Sequence, residues 1–327
     1  MFKAWVLNKS DGVFDASLRD VDEAELPDGD VLLRVEYSSL NYKDALALTD
    51  SAPVVRKWPM VPGIDGAGVV LESRHAAWKP GDRWVVNGWG IGESYWGCLA
   101  ERASLKGDWL VPLPARFDAR EAMILGTAGY TAMLAVQAIA AHGVRPEDGE
   151  VLVTGASGGV GSVAVSLLAR RGWRVVALSG KPDASGYLQE LGAAEVLDRA
   201  AYSAEGKPLQ KERWAAVVDT AGSHILANAC AQTRWGGVVA ACGLAQGMDF
   251  PTTVAPFILR GVTLAGIDSV MQPLAARRSA WTALADEFDT AQFARIAHQL
   301  PLRDARDAAL SIMQGRSRGR YVVEVDV

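Results

Sequence analysis

The segment Val151-Leu152-Val153-Thr154-Gly155-Ala156-Ser157-Gly158-Gly159-Val160-Gly161 leaves this chain few folds to choose from. An apolar run ends in a glycine-rich turn, and a helical pattern over residues 160–171 follows. Small residues let the backbone turn sharply and approach a phosphate. The start of the helix then supplies N–H donors that no intrahelical carbonyl uses. A lone glycine spacing is weak evidence, but glycines set between a buried strand and a helix are the arrangement that cradles a dinucleotide pyrophosphate. On this reading Ser157, Gly158, Gly159 and Val160 contact a cofactor, and Gly161 lets the helix pack on the strand.

Apolar runs recur at residues 175–178, 215–218 and 238–241, with helical patterns at 184–191 and 224–232 between them. Strands that are apolar throughout are buried on both faces of a parallel sheet. Right-handed crossovers wind such a sheet into a Rossmann-type, doubly wound α/β domain, expected over residues 123–267. The second strand ends Leu178-Ser179-Gly180-Lys181 and meets no acid until Asp183. A carboxylate there would hold the ribose 2′-hydroxyl of NAD; a hydroxyl, a glycine and an ammonium suit a 2′-phosphate. Ser179, Gly180 and Lys181, with Arg199 as a second cation, therefore point to NADPH. The alternative for Lys181 is a solvated surface lysine.

Before residue 120 the pattern is different. Short β-like runs at 31–35, 67–71 and 84–86 alternate with turn residues, which predicts a compact β-rich domain over 1–122. A last strand at 320–325 is expected to bring the tail, 268–327, back to complete it. At 327 residues the chain exceeds what one core organises, so two domains agree with its length. With 50% hydrophobic residues it can bury enough surface to fold. The net charge of −5 offers no basic footprint for nucleic acid. The three cysteines, Cys98, Cys230 and Cys242, are too few for a disulfide framework or zinc cage and point to a reducing, cytoplasmic setting. The N-terminus enters a strand-like segment with no leader pattern. The uncharged stretches 122–141 and 151–169 are diluted by Gly, Ser, Thr and Ala, so both read as buried elements of a soluble protein.

Several motifs of the first domain and the tail are long enough to be distinctive. They are Ser38-Ser39-Leu40-Asn41-Tyr42-Lys43-Asp44, Pro62-Gly63-Ile64-Asp65-Gly66-Ala67-Gly68, Gly88-Trp89-Gly90 and Lys106-Gly107-Asp108-Trp109-Leu110. Gly126-Thr127-Ala128-Gly129, Pro256-Phe257-Ile258-Leu259-Arg260 and Gly266-Ile267-Asp268-Ser269-Val270-Met271 complete the set. With the domain order, they resemble the medium-chain dehydrogenases/reductases, in the zinc-independent branch of YhdH/YhfP-type quinone oxidoreductases and NADPH-dependent acrylyl-CoA reductases. The resemblance covers nearly the whole chain and implies a GroES-like β-rich catalytic domain before the Rossmann domain. It also implies a homodimer, with residues 261–266 as a candidate contact, and cofactor contacts at Tyr42, Leu244, Ile258 and Ser269. The zinc-dependent branch carries a cysteine in the loop held here by Asn41-Tyr42-Lys43 and a His-Glu pair where this chain has Ile64-Asp65. No metal is expected, because catalytic zinc needs three Cys, His or carboxylate ligands.

Without a metal, the acceptor must itself be electron-poor: an enoyl thioester, an enone or a quinone. The leading expectation is reduction of acrylyl-CoA to propionyl-CoA. An NADPH:quinone oxidoreductase is the enzyme alternative, and a non-catalytic NADPH-binding sensor or partner module the alternative of another class. Two readings stand for Tyr42: a hydroxyl that steers a proton or holds substrate, or an aromatic that packs beneath the cofactor. Asn41 and Lys43 are further donors on its loop, and Asp65 reads as a local backbone-binding residue. Cys242 is either a thiol nucleophile or, as its lack of a basic partner favours, a small buried hydrophobe. For CoA phosphates the candidate cations are Arg56, Lys57, Arg277, Arg278, Arg316, Arg318 and Arg320, each equally readable as a surface charge.

Overall fold

The structure, a computed structural model, describes residues 1–325. These form two units: the first holds Met1–Thr127, Ser269–Ala285 and the chain from Ile296 onward, the second Ala128–Asp268 and Asp286–Arg295. Within the stretch 268–327, therefore, Asp268 and the ten residues Asp286–Arg295 join the second unit, and residues 326 and 327 lie outside the described residues. The local reason is apolar: Phe288 and Phe293 are buried and stack at 5.3 Å. Glu287 also pairs with Arg171 at 2.7 Å.

In the first unit, β1 (Phe2–Ser10) and β2 (Val13–Val21) make an antiparallel hairpin. Its turn, Asp11-Gly12, has φ of 51° and 80°, the positive angles that a two-residue hairpin loop demands. The main sheet contains β3 (Val31–Leu40), β4 (Asp65–Ser73), β5 (Arg83–Asn87), β6 (Arg102–Leu105) and β7 (Val111–Pro112). The helix α1 (Tyr42–Thr49) leaves directly from the end of β3. Next, α2 (Ala119–His142) begins in the first unit and ends in the second. It is apolar and long enough to cross a membrane, but 83% of its most apolar window is buried, and it is a core helix. Its φ/ψ is non-helical at Gly126 (49°, −151°).

The second unit is one six-stranded sheet. Its elements are β8 (Glu150–Thr154), α3 (Gly159–Arg170), β9 (Arg174–Ser179), α4 (Ser185–Glu190), β10 (Ala193–Asp198), β11 (Trp214–Asp219), α5 (Ser223–Gln232), β12 (Thr233–Ala241), α6 (Ala255–Arg260) and β13 (Thr263–Gly266). Spatial order is β10-β9-β8-β11-β12-β13, and every pairing is parallel. Numbered by appearance this is 3-2-1-4-5-6, the doubly wound order whose ligand sites lie at the carboxyl ends of the strands. All of β11 is buried, whereas edge strand β10 is half-exposed.

After β13 come α7 (Leu274–Glu287), α8 (Phe293–Ile296), β14 (Ala297–Pro301), α9 (Ala305–Met313) and β15 (Arg320–Glu324). In the first unit the sheet order is β14-β15-β3-β4-β5-β7, with β6 also on β3. The tail thus lays β15 antiparallel against the end of β3 that leads into α1. Leu7, Leu33, Leu48, Trp84 and Ala309 belong to the core that results.

Candidate active site

In the second unit the turn after β8 is built by hydrogen bonds to Thr154. Its hydroxyl donates to Asp219 at 2.7 Å and accepts the Thr220 N–H at 3.0 Å, joining the ends of β8 and β11. Gly155 sits at φ 56°, and a Cβ there would overlap the Thr220 hydroxyl. Asp219 also accepts the Gly222 N–H, so this fully buried carboxylate is engaged within the turn rather than offered to a ligand. Gly158 is the N-cap of α3, and no side chain caps that end. A Cβ at Gly161 would overlap the Gly155 carbonyl, so only glycine lets the helix approach this closely. The result is an uncapped N-terminus on a twelve-residue helix, with its first N–H groups held toward the turn.

Beside it, Ser157 and Ser179 hydroxyls lie 3.1 Å apart, and Ser179 accepts the Lys181 N–H at 3.2 Å. Gly180 faces the Arg199 side chain: a Cβ there would lie 2.7 Å from the guanidinium carbon. Gly180, Asp198, Arg199, Ala200, Ser203 and Ala204 line an open pocket of ≈ 390 Å³. Asp198, the nearby acid, accepts the Ala200 N–H at 2.9 Å as a helix cap. An uncapped helix end, a glycine-shaped turn and a guanidinium at the close of β9 fit a dinucleotide with an extra phosphate. The structure brings Ser157, Gly158, Gly159, Val160, Ser179, Gly180, Lys181 and Arg199 together in one unit. Leu244 and Ile258 are exposed in the same unit, following β12 and on α6.

Tyr42 and Ser269 belong to the first unit. Tyr42 is the first residue of α1 and is exposed. Its neighbours along the chain are committed to a buried polar cluster. The Asn41 carboxamide donates to Asp44 at 3.2 Å and to Asp65 at 2.9 Å, and accepts from Arg320 at 3.0 Å. Asp65 accepts from the Ser39 hydroxyl at 2.8 Å and the Thr127 N–H at 2.8 Å. Arg320 donates to the Ile124 and Leu40 carbonyls and lies 3.8 Å from Asp65. Burial, followed by the charge of Asp65, pushes the Asp44 carboxyl up to about 7. Lys43 is engaged with Glu93 at 2.8 Å. A Cβ on Gly126 would come within 2.7 Å of both Arg320 and Asp65, which explains why α2 breaks there.

Two expected phosphate-binding cations are corrected. Arg320 is 3% exposed and belongs to the cluster just described. Arg277 is 1% exposed, donates to the carbonyls of Asn87, Val270 and Gln272, and lies over the Trp89 ring at 4.1 Å. Its hydrogen bond to Val270 ties down the segment that carries Ser269. Asp65 binds far more than local backbone, reaching β3, α2 and β15. Arg56, Lys57, Arg278, Arg316 and Arg318 stay exposed. The Cys242 thiol, pushed up to about 12 by burial and then by Asp219, donates to the Asp219 carbonyl. That is a packing thiol, not a nucleophile. Sequence reasoning passed over Asp44; its one signal was an acid at the third helical position after a polar N-cap.

Two family models match the chain: an alcohol dehydrogenase GroES-like domain over residues 27–115 and a zinc-binding dehydrogenase over 159–289. The residues do not fit a zinc ion, because among those described no three His, Cys, Asp or Glu side chains are grouped to hold one. The acrylyl-CoA reductase AcuI of Ruegeria pomeroyi is 45% identical, covering 100% of both chains. YhfP of Bacillus subtilis, described as a quinone oxidoreductase, is 41% identical over 99% of both. The crystal structure of the YhdH oxidoreductase of Salmonella enterica, in complex with NADP, superimposes with a TM-score of 0.98 at 50% identity, covering 99% of this chain and 100% of that one.

Proposed function

The chain belongs to the medium-chain dehydrogenase/reductase superfamily, in the group of AcuI, YhdH and YhfP, and on that premise we propose an NADPH-dependent reductase of activated C=C bonds, acting on acrylyl-CoA to give propionyl-CoA. The observation that carries the reading is the end of β9. There Ser179, Gly180 and Lys181 stand where a carboxylate would select NAD, and Arg199 packs on Gly180. When bound, NADPH supplies the hydride for the β-carbon of the thioester. The α3 N-terminus and Ser157, Gly158, Gly159 and Val160 hold the pyrophosphate, and Arg199 with Lys181 holds the 2′-phosphate. Leu244, Ile258 and Ser269 are proposed as further cofactor contacts. Negative charge moves to the thioester oxygen as the β-carbon is reduced, so a hydrogen-bond donor there lowers the barrier. The α-carbon then takes a proton; Tyr42 is the hydroxyl proposed to steer it.

The three thiols, all free, suit a reducing cytoplasm. A homodimer is part of the proposal: β13 is the edge of its sheet, with Leu264, Ile258 and Leu259 exposed on and beside it. Light scattering on the eluting protein checks the mass. Activity is tested by anaerobic mixing of NADPH-loaded protein with acrylyl-CoA while following reduced-nicotinamide absorbance. A faster reaction with a benzoquinone, judged by kcat/KM, would favour the quinone reductase reading, which the similarity to YhfP supports. No oxidation with any thioester, enone or quinone would leave a binding module.

A further inference from the structure

The reaction just outlined makes no use of Asp44, a carboxylate two residues from Tyr42. Asp44, Asp65 and Arg320 are 1%, 0% and 3% exposed. Fully ionised, they bury two negative charges against one positive charge, an arrangement that low dielectric penalises. The charged and titratable groups facing Asp44 are Asp65 from β4, Arg320 from β15 and the Cys98 thiol.

Asn41 joins these groups. Asp44 Oδ2 accepts both the Asn41 backbone N–H, at 2.9 Å, and its side-chain amide, at 3.2 Å. Oδ1 accepts the N–H groups of Gly63 and Ile64 at 3.1 and 2.9 Å. All four donors require a group that only accepts. A proton placed on Oδ2 turns that oxygen into a donor facing two N–H groups, and the carboxamide has to rotate. Because both ends of the amide are engaged, rotation also breaks its bonds to Asp65 and Arg320.

We propose that Asn41 is a positioning residue of the reduction site: its carboxamide relays the protonation state of Asp44 to the first turn of α1, and so fixes or releases Tyr42. The relay stands on the geometry of the first unit; its link to catalysis rests on the reductase reading above. Burial and the Asp65 charge bring the exchange to about 7.

The chain has four asparagines, Asn8, Asn41, Asn87 and Asn228, so selective ¹⁵N-asparagine labelling yields four side-chain amide signals. Asn41→Ala assigns the relevant one. In cofactor-free protein titrated from about pH 5.5 to about pH 8.5, a span that brackets a raised carboxyl group, the Asn41 signal is expected to move with a midpoint of about 7. The ¹⁵N-tyrosine backbone signal of Tyr42 is expected to follow it. Asp44→Asn, which places a permanent donor beside Asn41, should flatten both. An Asn41 signal constant across the range, or a Tyr42 signal that titrates unchanged in Asn41→Ala, overturns the relay. Should Asp44→Asn not fold, those two observations still decide it.

Turnover with acrylyl-CoA is then measured over the same range. The expected result is about a tenfold fall in kcat on the acid side, one full titration unit, and a flat profile in Asp44→Asn. A more available proton would by itself push kcat the other way. Equal slopes in both proteins remove the catalytic role while leaving the relay. Absence of any turnover in the unmodified protein sinks the reductase reading without touching the labelling result.

Discussion

The cradle after β8 and the cluster beside Tyr42 solve opposite problems. In the second unit, where an anion site is proposed, the chain leaves backbone donors open: an uncapped helix end, glycines without Cβ atoms, and Arg199 lining a pocket. In the first unit the cluster beside Tyr42 is closed on itself. Asn41, Asp44, Asp65 and Arg320 satisfy one another out of water. The first kind of site is limited by what is added to it, the second by what is taken away or protonated. Ionisation separates them too. Partial burial favours the protonated form of Glu150, on β8, yet hydrogen bonds from Arg213 and Arg174 hold its carboxyl below the usual range. Asp44 lacks such an excess of cations and goes up.

The contrast can be broken most severely at Gly126. Gly126→Ala forces a Cβ against Arg320 and Asp65 at a backbone angle that disfavours side chains, and should cost about 3 kcal/mol of stability in urea unfolding. Arg199→Ala should weaken NADPH by about 2 kcal/mol, roughly thirtyfold, and leave NADH unchanged in calorimetry, since only the charged hydrogen bonds to the extra phosphate are lost. An equal loss for both cofactors would assign Arg199 elsewhere.

Acid and base should act on the two regions in opposite senses. The folded protein holds the Asp44 proton up to about 7, whereas the unfolded chain releases it near 3.8. The Asp44 contribution to stability is therefore largest at low pH and declines as pH rises through that window, by up to about 1.4 kcal/mol per unit. Glu150 behaves in reverse: its contribution is present above the ordinary carboxylate range and disappears on acidification through its lowered folded value. The difference in urea-unfolding free energy between the unmodified protein and Asp44→Asn should change by about 2 kcal/mol from about pH 5.5 to pH 7. The smallest effect belongs to Tyr42→Phe: about a tenfold lower kcat, with NADPH affinity intact, if the hydroxyl steers the proton. An unchanged kcat would reduce Tyr42 to packing.

The same contrast decides what could be read before folding. The strand–turn–helix at residues 151–171 is local, and its chemistry is carried by backbone that glycine exposes, so it is legible in a short window. Buried strands such as β9 and β11 announce themselves by unbroken apolar runs, whereas β10 lies at an edge and its Glu195 and Asp198 hide it. The cluster is the opposite case. Arg320 reaches the Leu40 carbonyl across 280 residues, and no window of sequence contains both. Taken alone, Arg320 and Arg277 look like surface cations awaiting a phosphate. Only tertiary structure shows that each is spent on carbonyls and, for Arg320, on Asp65.

The lateness of β15 in the chain carries a consequence for synthesis. A ribosome completes β3, α1 and β4 long before it makes Arg320, so the emerging first unit carries two carboxylates whose countercharge does not yet exist. Until the last strand is threaded beside β3, those groups must stay hydrated, and the helix that starts at Tyr42 cannot be sealed over them. A message cut short just upstream of that codon would yield a polypeptide lacking β15, and its first unit would stay ajar, exposed to proteases.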